Sequence, residues 1–130
     1  MILDTDFVID VMKNDEAAVK RLKELVSRGE PQVITTPTMF ELYSGVIRSK
    51  KKDEEKQKIL DVLSNLIIWN LDSESAKNGG EIDGRLSVEG QKIDIIDSMI
   101  AGIAFAHQEK ILTRNIRHFS KIIGLKIETY

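Results

Sequence analysis

Met1-Ile-Leu-Asp-Thr-Asp-Phe7 opens the chain and decides its fold. Ile2 and Leu3 lead straight into Asp4, which predicts a short buried strand, Ile2 to Asp4, ending on a carboxylate. Phe7, Val8, Val11 and Met12 follow at helical spacing, and Asp6 is placed to cap that turn. A strand that passes at once into a helix is the first half of a β–α unit.

Such units recur. Val19, Leu22, Leu25 and Val26 mark an amphipathic helix that Gly29 ends. Val33-Ile34-Thr35-Thr36 is a β-branched run and predicts a second strand. Pro37 to about Arg48 predicts a helix with Phe40, Tyr43 and Ile47 on one face, and a further helix carries Ile59, Leu60 and Leu63. Leu66-Ile67-Ile68-Trp69 predicts a third strand. Asp72 onward reads as a helix weakened by Gly79-Gly80. Ile93 to His107 predicts a buried helix, Ile111-Leu112-Thr113 a fourth strand and Leu125-Lys126-Ile127 a fifth. Strands alternating with helices predict an α/β fold, a parallel sheet with helices on both faces. The chain has no repeat, linker or low-complexity stretch, and 130 residues suit one domain spanning 1–130.

Composition narrows the chemistry. The chain has no cysteine, which excludes disulfides, thiolate zinc sites and cysteine nucleophiles. The only histidines are His107 and His118, with no zinc-ligand spacing. Net charge is −2, so any nucleic-acid contact must rest on local basic patches. No apolar run is long enough to span a membrane, and no basic leader precedes an apolar stretch, so the expectation is a cytoplasmic protein.

Open parallel sheets bind ligands beyond the carboxyl ends of their strands. Asp4 ends the first strand, with Asp6 just after it. Glu41 falls in the helix after the second strand. Asp94 and Asp97 fall at the start of the helix before the fourth strand, and Asn115 follows that strand. Read singly, these residues have structural roles. Thr38-Met39-Phe40-Glu41 matches a capping box, and Asp94, Asp97 and Asp6 suit helix N-termini. Read together, they gather carboxylates at one edge of the sheet. Such a cluster repels itself, and a hard cation with oxygen ligands, such as magnesium, relieves the repulsion. A metal-activated water can then attack a phosphodiester.

Ile2-Leu3-Asp4-Thr5-Asp6, Thr38-Met39-Phe40-Glu41-Leu42, Asp97-Ser98-Met99-Ile100-Ala101 and Leu112-Thr113-Arg114-Asn115, then His118-Phe119, stand in the order found in the PIN domain. The chain resembles that family, and specifically the VapC-like toxins of type II toxin–antitoxin systems, from residue 2 to about Tyr130. The resemblance implies a PIN-like three-layer sandwich and an endoribonuclease dependent on Mg2+ or Mn2+. It also implies a homodimer held inactive by a VapB-type antitoxin. By position, Asp4 and Asp97 match the family's principal metal ligands, Glu41 its second acid and Thr113 its supporting hydroxyl. Asn115 stands where many members carry an acid, His118 where an acid often precedes the phenylalanine, and Asp6 where asparagine is common. Asp94 is placed to supply part of the missing charge.

Arg114, Arg117 and Lys121 lie near this set and suit phosphate contact. Arg48, Lys50, Lys51, Lys52, Lys56 and Lys58 read first as a solvated basic face and second as an RNA track. Trp69, Phe40, Tyr43 and Phe119 are able to stack bases, with core packing the better reading for Trp69. Two rivals remain. Asp4-Thr5-Asp6 also resembles the nucleophile motif of haloacid-dehalogenase-like phosphatases, which leaves Glu41 unexplained. A non-catalytic PIN-like binding module would keep the fold without the cleavage.

Overall fold

The computed structural model describes residues 1–130. Its elements run β1 (Ile2–Leu3), α1 (Thr5–Met12), α2 (Glu16–Ser27), β2 (Val33–Thr35), α3 (Thr36–Arg48), α4 (Lys52–Leu63), β3 (Ile67–Trp69), α5 (Ser73–Val88), α6 (Ile95–His107), β4 (Ile111–Leu112), α7 (Ile116–Phe119) and β5 (Ile127–Glu128). The strands form one five-stranded sheet in the order β3-β2-β1-β4-β5, with every pairing parallel. The α/β architecture read from the sequence is the one observed.

Each inner strand feeds both faces of the sheet, because successive side chains point opposite ways. Ile2, Val33 and Ile111 join a core with Ile82 and Leu86 of α5 and Ile100 and Ile103 of α6. Leu3, Ile34 and Leu112 join a second core with Phe7 and Val8 of α1, Leu25 of α2, Leu42 of α3 and Ile59 of α4. The result is three layers, with α5 and α6 on one face and α1 to α4 on the other.

The chain winds from β1 through β2 to β3, then returns to lay β4 on the other side of β1. The winding direction therefore reverses between β1 and β4, the place where such sheets open a crevice at their carboxyl edge. Asp4 and Thr113 leave these two strands side by side. The registers Ile2↔Ile111 and Leu3↔Leu112, together with Asp4 N–H donating to the Leu112 carbonyl at 3.1 Å, fix them there.

Several local expectations change. Asp4, not Asp6, caps α1: its side chain accepts from Thr5 N–H. The helix begins two residues earlier than expected because the strand carboxylate itself serves as cap. Likewise α3 begins at Thr36 and is capped by Thr35, so Thr38 to Glu41 is not a capping box. β3 is an edge strand with Ile67 and Ile68 exposed, whereas Trp69, half-buried, packs against the first core as expected, its ring stacked on His107 at 3.8 Å.

Gly79-Gly80 does not interrupt α5. A Cβ at Gly79 would lie 2.9 Å from the Ser98 carbonyl oxygen of α6, and one at Gly102 only 2.3 Å from the Ser75 carbonyl oxygen of α5. The two helices approach backbone to backbone at these glycines. That packing offsets the helix propensity the glycines lack.

Candidate active site

Asp4 sits at the centre. It is 2 % exposed, with Oδ1 accepting from Thr5 N–H at 2.9 Å and Oδ2 from the Thr113 hydroxyl at 2.7 Å. Burial pushes its pKa up to about 7, and the charges of Asp97 and Asp6 add to the rise against the Thr113 and Thr5 hydrogen bonds. Thr113 in turn accepts from Asn115 N–H at 2.8 Å. Its hydroxyl proton is thereby directed onto Asp4.

Asp97 is brought in by the first turn of α6, whose N-cap is Asp94. Asp97 Oδ2 accepts from Asn115 Nδ2 at 3.0 Å and lies 2.7 Å from His118 Nδ1. His118 Nδ1 also lies 2.9 Å from Asn115 Nδ2, so Asp97, Asn115 and His118 form one hydrogen-bonded cluster in which an ionised Asp97 accepts. Burial raises the Asp97 pKa; His118 opposes the rise, while Asp94 and Asp6 reinforce it.

Glu41 leaves α3 beside the same edge. Its Oε1 accepts from the Thr5 hydroxyl at 2.6 Å, in place of the capping bond its sequence suggested. Burial raises its pKa, the Thr5 bond opposes, and the charges of Asp94, Asp97 and Asp6 raise it further. Four segments thus bring together Asp4, Glu41, Asp97 and Asn115, with Asp6 and Asp94 as flanking charges.

The structure separates the proposed phosphate contacts. Arg117 is exposed and has no hydrogen bond or ion pair to another side chain. The Arg114 guanidinium is occupied by Asp10 and Asp15. Phe119 is buried and unavailable for stacking, whereas Phe40 is exposed. A cleft of about 510 Å³ runs from Thr5, Asp6 and Glu41 to Arg48 and Lys58, with Phe40 and Ile96 on its walls. Two features were missed in the sequence: Thr5 as the partner of Glu41, and Arg48 with Lys58 as walls of the cleft that Glu41 lines. The Asp-Thr pair at a strand end was a usable signal for the first. The second depends on how α3 meets α4.

No three acidic or imidazole side chains converge into a ready-made metal cage. Magnesium keeps several of its waters and is commonly held by one or two carboxylates, so a buried, mutually repelling all-oxygen set still fits it. Asp4, Glu41 and Asp97 all have raised pKa values, first from burial and then from neighbouring carboxylates.

The stability of the metal-free protein should therefore depend on pH. Asp4 binds its proton more tightly folded, with a pKa of about 7 against 3.8 in the unfolded chain. The folded state gains relative stability as pH falls from 7 towards 4, and loses it as pH rises through 7. Asp15, Asp72, Glu109 and Glu128, held below their ordinary range, pull the other way, so the Asp4 contribution is read against Asp4→Asn. Thermal denaturation in chelator across that window should show wild type gaining melting temperature relative to Asp4→Asn on acidification, and a constant difference would contradict the raised pKa of Asp4.

The PIN domain profile matches residues 1–125. Ribonuclease VapC19 of Mycobacterium tuberculosis is 30% identical over 119 residues, covering 91% of this chain and 90% of its own length. The tRNA(fMet)-specific endonuclease VapC of Shigella flexneri is 30% identical over 129 residues, covering 99% and 96%. Among solved structures, VapBC2 of Rickettsia felis bound to a promoter DNA fragment superposes with a TM-score of 0.90 at 28% identity, covering 99% of this chain and 97% of that one. The chain belongs to the PIN domain family, and within it to the VapC ribonucleases of VapBC toxin–antitoxin systems. That membership removes the phosphatase alternative.

Proposed function

We propose that the chain, as one domain spanning 1–130, hydrolyses RNA phosphodiester bonds as the toxin of a VapBC pair, using Asp4, Glu41, Asp97 and Asn115 with magnesium or manganese. The observation that carries this reading is the buried Asp4, held between two hydrogen-bond donors and still pushed to a pKa of about 7 by burial and neighbouring acids. Such a carboxylate is poised to exchange its proton for a cation.

Asp4 and Asp97 would hold the cation. When bound, it would offset the clustered charge, polarise a phosphate oxygen and acidify a water. Thr113 keeps Asp4 oriented, and Asn115 and His118 keep Asp97 oriented. Glu41, its pKa raised by burial, accepts the proton of the attacking water. The water oxygen bonds to phosphorus in line as the bond to the 3′ oxygen breaks, and the leaving oxygen takes a proton from solvent, giving a 3′ hydroxyl and a 5′ phosphate. Asp6 and Asp94 add negative potential that favours the cation. Arg117 supplies a free guanidinium for a flanking phosphate, and the Arg48 and Lys58 wall supports the strand beyond.

A VapB-type antitoxin is the partner this reading requires, and the homodimer the family resemblance implied belongs to the same proposal. The proposal is tested by the metal. Chelation should abolish RNA cleavage, and added Mg2+ or Mn2+ should restore it with 5′-phosphate ends on the products. Cleavage undiminished in chelator, or products ending in 2′,3′-cyclic phosphate, would refute it.

A further inference from the structure

Arg114 stands in sequence between two members of the site, Thr113 and Asn115, yet its side chain is engaged elsewhere. Nη1 lies 3.1 Å from Asp10 Oδ2 on α1, and Nη2 lies 3.0 Å from Asp15 Oδ1 at the N-cap of α2. The guanidinium carbon sits 4.5 Å from the centre of the Tyr130 ring. Tyr130 donates its hydroxyl to the same Asp10 Oδ2 at 2.7 Å and meets Phe7 edge-on at 4.7 Å. The Asp15 carboxyl is held below its ordinary range, first by Ala18 N–H and then, against partial desolvation, by Arg114.

A planar fork that pairs two acids and stacks on a ring uses every feature that separates arginine from lysine. The consequence lies in the backbone on either side. Thr113 must reach Asp4, and Asn115 must reach Asp97, from adjoining positions in one turn. Anchoring the residue between them to α1 fixes that turn against the helix that Asp4 caps.

We propose that Arg114 is a positioning residue, clamped by Asp10, Asp15 and Tyr130, that holds the Thr113–Asn115 turn so that Thr113 orients Asp4 and Asn115 orients Asp97. It acts through these two residues and does not touch RNA. The inference rests on the ribonuclease reading of the site. Contact of the exposed guanidinium with phosphate would compete with the two carboxylates already paired to it, while Arg117 nearby has no such competition.

The test compares wild type with Arg114→Ala, Arg114→Lys and Tyr130→Phe by three measurements. These are kcat and KM on a single-stranded RNA oligonucleotide, Mn2+ affinity by calorimetry without RNA, and oligonucleotide affinity in chelator across a salt series. Arg114→Ala should lower kcat and weaken Mn2+ binding by about tenfold each, the lower end for residues that orient ligands. KM and the salt slope should stay as in wild type. Arg114→Lys should recover part of both losses, since it keeps the charge but not the fork. Tyr130→Phe, which keeps the ring and loses only the bond to Asp10, should show a smaller loss of the same kind.

A raised KM with kcat intact, and a salt slope shallower by about 0.7, the contribution of one single-strand phosphate contact, would overturn the proposal in favour of direct RNA binding. Unchanged Mn2+ affinity in folded Arg114→Ala and Arg114→Lys would overturn it as well. Absence of cleavage by the wild type would instead defeat the ribonuclease reading, and the calorimetry would still decide whether Arg114 orders the acidic site.

Discussion

Replacing Asp4 by asparagine should abolish cleavage and, in chelator at neutral pH, make the protein more stable. The two effects share one cause. Folding buries a carboxylate at 2 % exposure and raises its pKa from 3.8 to about 7. At about 1.4 kcal/mol per unit, the charged form costs roughly 4 kcal/mol above pH 7 when no cation is present. Asparagine removes the charge and keeps an acceptor for Thr5 N–H. Thr113, already an acceptor for Asn115 N–H, can rotate its own proton away from the new amide. A net gain of about 2 kcal/mol is expected, worth roughly 5 °C or more in melting temperature. Lowering the pH towards 4 should close most of the gap, because folded wild-type Asp4 is then protonated and no longer buries a charge. Added Mg2+ should raise the melting temperature of wild type alone, since a ligand stabilises the state that binds it. Cleavage should fall by about a thousandfold or more, the scale on which preorganised charge stabilisation operates. Calorimetric melting with and without cation checks the stability half; an Asp4→Asn protein less stable than wild type in chelator at pH 7.5 would refute it.

The second large effect is structural. Gly102→Ala should destabilise the protein severely. The added Cβ would lie 2.3 Å from the Ser75 carbonyl oxygen and 2.6 Å from Gly79 N, both backbone atoms of α5. Relief requires α5 and α6 to move apart along the core that contains Ile82, Leu86, Ile100 and Ile103. Overpacking against backbone costs about 3 kcal/mol or more, well above the ~1 kcal/mol that alanine returns in helix propensity. Because α6 also carries Asp97, the surviving folded fraction should cleave poorly. Gly84→Ala is the control, since nothing lies within 4 Å of its Cβ position, and it should be neutral or slightly stabilising. Urea unfolding of both proteins checks the prediction. Equal midpoints would show that the helices yield where the backbone contact says they do not.

Those glycines mark a limit of what the sequence discloses. Gly79, Gly80, Gly84 and Gly102 are alike in a sequence, and only the neighbouring helix separates the tightly packed ones from the open ones. The sheet was legible because its information is local. Ile2 and Leu3, Val33 and Ile34, Ile111 and Leu112 each put one side chain into each core, and the intervening helical periods force parallel strands. Asp4 and Asp97 were legible for the same reason, as acids placed where a strand ends and a helix starts.

Glu41 was legible as a member of the set but not in its contact. The capping-box reading needed a helix beginning at Thr38, whereas Thr35 caps it a turn earlier and frees Glu41 to meet Thr5. The contacts of Arg114 were not legible either. Its type and place suggested phosphate, and the acids that occupy it, Asp10 and Asp15, lie about a hundred positions away, joined to it only by the fold.

The central claim is that Asp4 and Asp97 form one cation-dependent cleaving site. Its most direct test incubates wild type, Asp4→Asn and Asp97→Asn with total RNA and Mg2+ in parallel, each confirmed folded. Cleavage by wild type alone is the predicted result. Equal cleavage by all three would contradict the assignment of the site.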